Sequence, residues 1–286
     1  MVKEYENLKV EDHGHVVICI LTNPPTHTFT SKSLMEVHDF LDQMEKKKDL
    51  RVLAFTGEGE DVFIKHYEVG ELAESAEKNI SAAKEVSSEY SPPKELHHFH
   101  KMLLRLRDIE AIVIAGINGN TAGGGCEFAL GCDLRIMSEG PYAIGLPETS
   151  VGILPGGGGT QRLAQLVGKG KAIEMITTGI MIDANQAYNY RLVNNVVEAE
   201  VLISKCKELC YQIAKNSPMK VNIIRPSLVY GPNPKGNLGA MIKGIQAGWF
   251  PKLDIAGNKK SMIHVDDLAL AILFIAINKE SDSDPY

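Results

Sequence analysis

Apolar residues are arranged along the chain in two patterns, of which the first is the short continuous run. Runs rich in β-branched residues occupy positions 15–21, 52–56, 111–117, 133–137 and 142–144. Runs of this length that end near glycine, proline or polar residues predict buried strands. The chain is therefore expected to contain a series of strands that are covered on both faces.

The second pattern lies between these runs, where apolar residues recur at helical spacing. It predicts a helix over residues 34–44, with Ser31 or Ser33 as the N-cap, and another over residues 96–106. Residues 71–93 are polar with weak helical periodicity, which predicts a solvated helix or a loop over a site. Strands that alternate with helices indicate an α/β fold with mostly parallel strands and right-handed crossovers.

Composition restricts the classes of function. Hydrophobic residues make up 44% of the 286 positions, which is typical of a globular protein. The formal charge of −6 argues against a general nucleic-acid binder, which needs a basic face. The first residues lack the apolar core of a signal peptide, and no run reaches the ~18 apolar residues of a membrane span. We expect a cytoplasmic protein without membrane or nucleic-acid partners.

Two clusters carry metal-binding residue types without a suitable arrangement. His97, His98 and His100 are neighbours on a predicted helix, where adjacent side chains point in different directions and cannot share one ion. Cys206 and Cys210 lie one helical turn apart, but no second pair completes a site. The five cysteines are an odd set in a chain without an export signal, which favours reduced thiols. The sequence therefore predicts no metal site.

The most informative segment runs from a predicted strand through a glycine turn into a helix, over residues 117–130. Glycines let the backbone approach a ligand, and the new helix directs unpaired N–H groups and a positive dipole end at it. Such a helix start would stabilise a developing negative oxygen. Glu127 lies in the first helical turn. Glu148 follows 148 − 127 = 21 residues later, a spacing that allows a return strand to bring both carboxylates to one pocket.

These segments resemble the signature of the crotonase, or enoyl-CoA hydratase/isomerase, superfamily. The resemblance implies that residues 1–219 form the family's repeated ββα layers. The motifs that carry it are Asn118-Gly119, Gly123-Gly124-Gly125-Cys126-Glu127, Pro147-Glu148 and Leu154-Pro155 followed by four glycines and Thr160-Gln161-Arg162-Leu163.

The resemblance also implies a reaction and its residues. The substrate would be an acyl-CoA thioester, with no further cofactor, whose carbonyl is held by the backbone N–H groups of Tyr67 and Gly124. In family hydratases two glutamates hold a water; one assists its addition to the β-carbon, and the other exchanges a proton at the α-carbon. Glu127 and Glu148 match both. Substrate-binding positions would be Phe63, Lys65, His66, Gly123, Pro147 and Gly156.

The chain departs from the family in two places. The segment from Phe63 to Val69 replaces a turn of small residues, so that Tyr67 takes the position of an oxyanion donor. After Pro218, the family's C-terminal helices are replaced by residues 220–286, which resemble the C-terminal part of nucleotide-sugar epimerases of the extended short-chain dehydrogenase family. We expect this part to be an α/β segment, with a strand at 221–224 and a helix through 268–275.

Three alternatives remain open from the sequence. Isomerases of the family often keep only the second glutamate, so retention of Glu127 favours hydration over double-bond isomerisation. A non-catalytic acyl-CoA-binding protein is the second alternative, because the turn around Tyr67 and the covering helices are altered. An NAD-dependent epimerase is the third, but the glycines at 156–159 do not open a first βαβ unit, and Tyr188 and Tyr190 lack a lysine four residues later. The resemblance implies a homotrimer, which the replaced helices put in question.

Overall fold

The structure is a computed structural model that describes residues 4–59, 61–83, 95–216, 229–230 and 263–264. The chain divides into two units, 1–218 and 219–286. The elements of the first unit, in chain order, are β1 Leu8–His13, β2 Val16–Leu21, α1 Ser31–Met44, β3 Val52–Gly57, β4 Val62–Ile64, α2 Val69–Ala83, α3 His98–Asp108, β5 Ile112–Ile117, β6 Asn120–Ala122, α4 Gly124–Gly131, β7 Leu134–Ser138, β8 Ala143–Gly145, α5 Gly159–Val167, α6 Lys169–Thr178, β9 Met181–Asp183, α7 Ala184–Asn189, β10 Asn195–Val197 and α8 Leu202–Asn216, with 3-10 turns at Glu148–Val151 and Ala199–Val201.

Strands of the first unit alternate between two sheets. The larger sheet has the order β1-β2-β3-β5-β7-β10 and is parallel except for the β1–β2 pair. The smaller sheet has the order β4-β6-β8-β9, with an antiparallel β8–β9 edge. After each of β3, β5 and β7 the chain therefore crosses to the smaller sheet before it continues. This confirms the predicted α/β layers built from repeated ββα units.

Each predicted strand run appears as a strand of one of these sheets. The parallel strands are apolar on both faces because each face is covered. Val17, Leu53 and Val113 contribute to the main core. Val16 and Ile18 belong to a second, smaller hydrophobic cluster, which also includes Cys210 of α8. A continuous apolar run is the pattern expected of strands in such a position.

The first helix has a different cap from either predicted residue. Thr30 is the N-cap: its Oγ1 accepts a hydrogen bond from Ser33 N at 3.1 Å, and Ser33 Oγ accepts one from Thr30 N at 2.8 Å. Ser33 thus completes a capping box from inside the helix, and Ser31 is the first helical residue. The predicted caps were wrong by one and three positions, because three hydroxyl residues within four positions fit the cap pattern.

The polar segment at 71–93 begins as a helix. Helix α2 extends to Ala83, and the side chains of residues 72–75 are exposed, in agreement with a solvated helix. Residues 84–94 lie outside the described residues. In the second unit, β11 Val229–Tyr230 pairs in parallel with β12 Ile263–His264. The strand predicted at 221–224 and the helix predicted through 268–275 lie outside the described residues.

The cysteines are buried free thiols. This holds for Cys19, Cys126, Cys132, Cys206 and Cys210, and burial raises the pKa of each thiol. Among the described residues, no group of three or more His, Cys, Asp or Glu is placed to hold a metal ion. No helix in the described part of the chain is long and apolar enough to cross a membrane.

Candidate active site

The glycine turn lies where strands of the two sheets meet. Asn118 follows β5, and its Oδ1 accepts a hydrogen bond from Gly57 N at 2.9 Å while its Nδ2 donates to Val62 O at 3.1 Å. One amide side chain therefore ties the end of β3 to β4. Gly123 then turns the chain with φ 49°, a left-handed value that favours glycine, and its N–H donates to Gly145 O at 3.1 Å. These contacts fix the point at which α4 begins.

The carboxylate of Glu127 is held in the interior by a second glycine loop. Glu127 is 4% exposed, and its Oε1 accepts hydrogen bonds from Gly157 N and Gly159 N, both at 2.7 Å. A Cβ at Gly157 would lie 2.5 Å from Glu127 Oε2, and one at Gly159 would lie 2.9 Å from Oε1. Side chains would thus prevent the loop from reaching the carboxylate. Burial raises the pKa of Glu127, while the two N–H groups act in the opposite direction.

Glu148 begins the 3-10 turn after β8 and has no comparable support. It is 9% exposed, and its Oε2 is buried without a hydrogen-bond partner among the described residues. Its Oε1 lies 3.2 Å from the position that a Cβ on Gly123 would take. Burial, together with the charge of Glu127, raises the pKa of Glu148 to about 7. The two predicted glutamates therefore interact electrostatically beside the glycine turn, one anchored and one with an unpaired oxygen.

The segment that replaces the small-residue turn keeps a backbone N–H available. Tyr67 forms a bridge with Phe29, but its two hydrogen bonds run from Phe29 N to His66 O and from Glu68 N to Phe29 O. Within the described part of the chain, no hydrogen bond joins Tyr67 N or Gly124 N to a protein acceptor. A Cβ at Gly124 would lie 3.1 Å from Tyr67 N, so the two groups are adjacent at the start of α4.

The side chain of Tyr67 points away from this backbone group into a polar cluster. Its hydroxyl lies 3.3 Å from both Ser31 Oγ and Glu71 Oε2, and its ring meets Phe99 edge-on at 6.1 Å between centroids. Glu71 Oε2 also accepts hydrogen bonds from Ser31 N and Oγ, each at 2.8 Å. Glu71 therefore connects the start of α1 to the turn that carries Tyr67 N.

Comparison with known proteins agrees with this geometry. Residues 11–234 match the family described as enoyl-CoA hydratase/isomerase. The chain belongs to the enoyl-CoA hydratase/isomerase family. It is 34% identical over 233 residues to a short-chain-enoyl-CoA hydratase of Clostridium acetobutylicum, across 80% of this chain and 83% of the relative. It is 31% identical over 221 residues to a crotonyl-CoA hydratase of Syntrophomonas wolfei, across 77% of this chain and 80% of the relative.

A solved structure supports the same family assignment. The crystal structure of an enoyl-CoA hydratase from Bacillus anthracis superposes with a TM-score of 0.65 at 34% sequence identity, covering 74% of this chain and 78% of that one. The chain is thus an enzyme of the enoyl-CoA hydratase/isomerase family with a crotonase-like α/β fold. The family match extends to residue 234, beyond the boundary of 219 that the motifs predicted, and the domain boundary stays a prediction.

The predicted substrate-binding residues of this family member fall in three environments. Phe63 is 1% exposed and packs against Phe128 in the core, so it offers no side-chain surface to a substrate. Lys65 is exposed. His66 is half-buried, with its Nδ1 2.7 Å from Tyr67 O. Gly123, Pro147 and Gly156 lie in the turns beside the two glutamates.

Several residues of the site were missed in the sequence. Gly157 and Gly159 lie inside a motif that was recognised, yet only Gly156 was selected from it. Arg162 Nη1 donates to Gly157 O at 2.9 Å, and His100 Nε2 lies 2.7 Å from Gly156 O. His100 was considered only as a metal ligand. The spacing of the glycines and the arginine was visible, but which peptide group each one contacts depends on tertiary packing.

Proposed function

We propose that this enzyme hydrates a 2-enoyl-CoA thioester through an enolate-like intermediate. The observation that carries the proposal is the placement of two buried carboxylates, Glu127 and Glu148, beside two adjacent backbone N–H groups that have no protein acceptor among the described residues. The N–H groups of Tyr67 and Gly124 would bind the thioester oxygen, on which negative charge develops during addition to the conjugated double bond.

The two carboxylates differ in a way that assigns their roles. Glu127 receives two N–H groups, which stabilise its ionised form and make it suited to accept a proton from the attacking water. Glu148 has an unpaired oxygen and a pKa of about 7, so near neutrality it can hold a proton for the α-carbon. Water oxygen bonds to the β-carbon, Glu127 takes the water proton, and the enolate takes a proton from Glu148.

We propose a short-chain substrate, such as the four-carbon 2-enoyl-CoA, and no cofactor beyond the CoA thioester itself. The support comes from relatives named short-chain-enoyl-CoA hydratase and crotonyl-CoA hydratase. The test is the loss of the conjugated thioester's ultraviolet absorbance on hydration. Replacement of either glutamate by glutamine should lower kcat by about 10²- to 10⁴-fold, the range of general acid–base catalysis. Glu110→Gln, on the exposed loop after α3, is the matched control.

Other outcomes of this assay would point to other functions. Conversion of a 3-enoyl-CoA in preference to hydration would favour an isomerase. Binding of CoA esters without turnover of any member of a chain-length panel would favour a non-catalytic acyl-CoA-binding protein. Either result would contradict the proposed hydratase activity.

We further propose, from sequence motifs alone, that residues 220–286 derive from the substrate-side part of a nucleotide-sugar epimerase and do not bind NAD. An increase in melting temperature with NAD would contradict this, because a ligand stabilises the state to which it binds.

The homotrimer implied by the family resemblance can be tested by sedimentation. A stable trimer would show that the family's C-terminal helices are not required for assembly.

A further inference from the structure

One peptide group lies between His100 and the catalytic-site carboxylate. His100 Nε2 is 2.7 Å from Gly156 O, and Gly157 N donates to Glu127 Oε1 at 2.7 Å. Gly156 O and Gly157 N belong to the same peptide bond. In a trans peptide the C=O and N–H point in opposite directions, so the histidine and the carboxylate bind to the two ends of one dipole.

The direction of these hydrogen bonds follows from the chemistry of the partners. A carbonyl oxygen only accepts, so Nε2 carries the proton and donates to Gly156 O. Donation to the carbonyl polarises the peptide, and chains of hydrogen bonds strengthen one another. The N–H of Gly157 thereby becomes a better donor to Glu127, in a bond that is already strengthened by the carboxylate charge.

A second contact on the loop acts on a different peptide group. Arg162 Nη1 donates to Gly157 O, which belongs to the next peptide along the chain. Arg162 therefore holds the loop, whereas His100 lies in line with the bond to Glu127. The histidine is half-buried and borders a cavity of about 470 Å³ between α3 and the glycine loop, and its Nδ1 is buried without a hydrogen-bond partner among the described residues. Its replacement should therefore disturb packing little.

We propose that His100 is a positioning residue that orients Glu127 through the Gly156–Gly157 peptide. The proposal rests on the hydratase function only for the role of Glu127 in the reaction. It gives His100 a role in the site, whereas the sequence had suggested only a metal-ligand role that the spacing of the histidines excluded. It also gives a reason for glycine at 157, where the loop must approach the carboxylate without a side chain.

The first test separates positioning from general support of the loop. His100→Phe should lower kcat by about tenfold, as expected for the loss of one net hydrogen bond, with KM within about twofold. His100→Gln, which can donate to the same carbonyl, should restore most of the activity. His98→Phe on the same helix is the control, since the His98 side chain is exposed.

A double-mutant cycle tests whether the effect passes through Glu127. Adding His100→Phe to Glu127→Gln should cost no further activity, whereas adding it to Glu148→Gln should cost the full tenfold. Equal costs in both backgrounds, or no cost in the wild type, would overturn the proposal. A wild type without hydratase activity would instead contradict the proposed function.

The last measurement does not depend on activity. The amide proton of Gly157 should shift upfield in the NMR spectrum of His100→Phe, because its hydrogen bond to Glu127 weakens, and should return toward the wild-type position in His100→Gln. An unchanged Gly157 amide in His100→Phe would overturn the proposal even if the enzyme proved inactive on every enoyl-CoA tested.

Discussion

Glu148 Oε2 has no hydrogen-bond partner among the described residues, whereas Glu127 Oε1 accepts two hydrogen bonds, so the two neighbouring glutamates lie in opposite environments. Both carboxylates are buried, and burial raises the pKa of each. The two N–H groups offset part of that effect at Glu127, while the charge of Glu127 adds to it at Glu148. The pair is therefore arranged to hold one proton up to about pH 7, with Glu148 as the site that holds it.

This arrangement predicts the pH dependence of turnover. In the proposed reaction, hydration needs a proton on Glu148 and none on Glu127, and dehydration needs the reverse, so both directions require one proton on the pair. Because the pKa of Glu148 is about 7, kcat/KM should fall as the pH rises through about 7. The fall should occur at the same pH in both directions. An alkaline limb that persists in Glu148→Gln would show that another group is responsible.

The same pKa predicts that the stability of the folded chain, like its activity, falls as the pH rises. The pKa of Glu148 in the folded chain is above its usual 4.5, so ionisation disfavours the folded state as the pH rises from about 4.5 to 7. Glu148→Gln removes this ionisation. The variant should melt at the same temperature as the wild type near pH 4 and at a higher temperature above pH 7. A difference in melting temperature that is constant with pH would contradict the assignment, and Glu110→Gln is the control.

The glycine loop predicts a steric test of Glu127. In Gly157→Ala the new Cβ would lie 2.4 Å from the Phe99 ring and 2.5 Å from Glu127 Oε2, so the carboxylate must move. A misplacement of about 1 Å can cost about 100-fold in rate, and we expect a loss of that order in kcat. Gly170→Ala in α6 meets no atom within 4 Å and should leave kcat unchanged. Full activity in Gly157→Ala would show that the carboxylate position is not critical.

The altered turn around Tyr67 predicts that catalysis depends on the backbone N–H of this residue and not on its side-chain hydroxyl. The oxyanion contact would come from Tyr67 N, which every residue except proline supplies, so Tyr67→Phe should keep kcat within about threefold. Glu71→Ala removes the acceptor for Ser31 N and should lower the free energy of unfolding by about 1 kcal/mol, the net contribution of one hydrogen bond. Denaturant melting measures the second effect. A large loss of kcat in Tyr67→Phe would assign the hydroxyl a direct role.

The strands could be predicted from the sequence because burial on both faces leaves a continuous apolar run. The runs containing Val17 and Leu53 are examples, and each lies in the larger parallel sheet. The helix cap was less predictable. Thr30, Ser31 and Ser33 all carry hydroxyls, and the choice among them depends on where the chain turns into α1.

The site was only partly predictable, for a related reason. Glu127 and Glu148 could be selected because both lie in motifs that resemble those of the enoyl-CoA hydratase/isomerase family. The contacts of His100, Glu71 and Gly157 could not, since each joins segments distant in the sequence. The local sequence pattern identifies which side chains could take part in acid–base chemistry, whereas tertiary packing determines which hydrogen-bond partner each of them contacts.

The buried cysteines have a consequence for the study of this enzyme in solution. Cys19 and Cys126 lie in the main core, and Cys206 and Cys210 lie on the face of α8 that packs against the larger sheet. Alkylating reagents react with the exposed thiolate, and all five thiols are both buried and held protonated. Each cysteine is therefore labelled only when the layer around it opens. The order in which the cysteines react would show which layer of the molecule opens first, and the measurement requires no new cysteine in the chain.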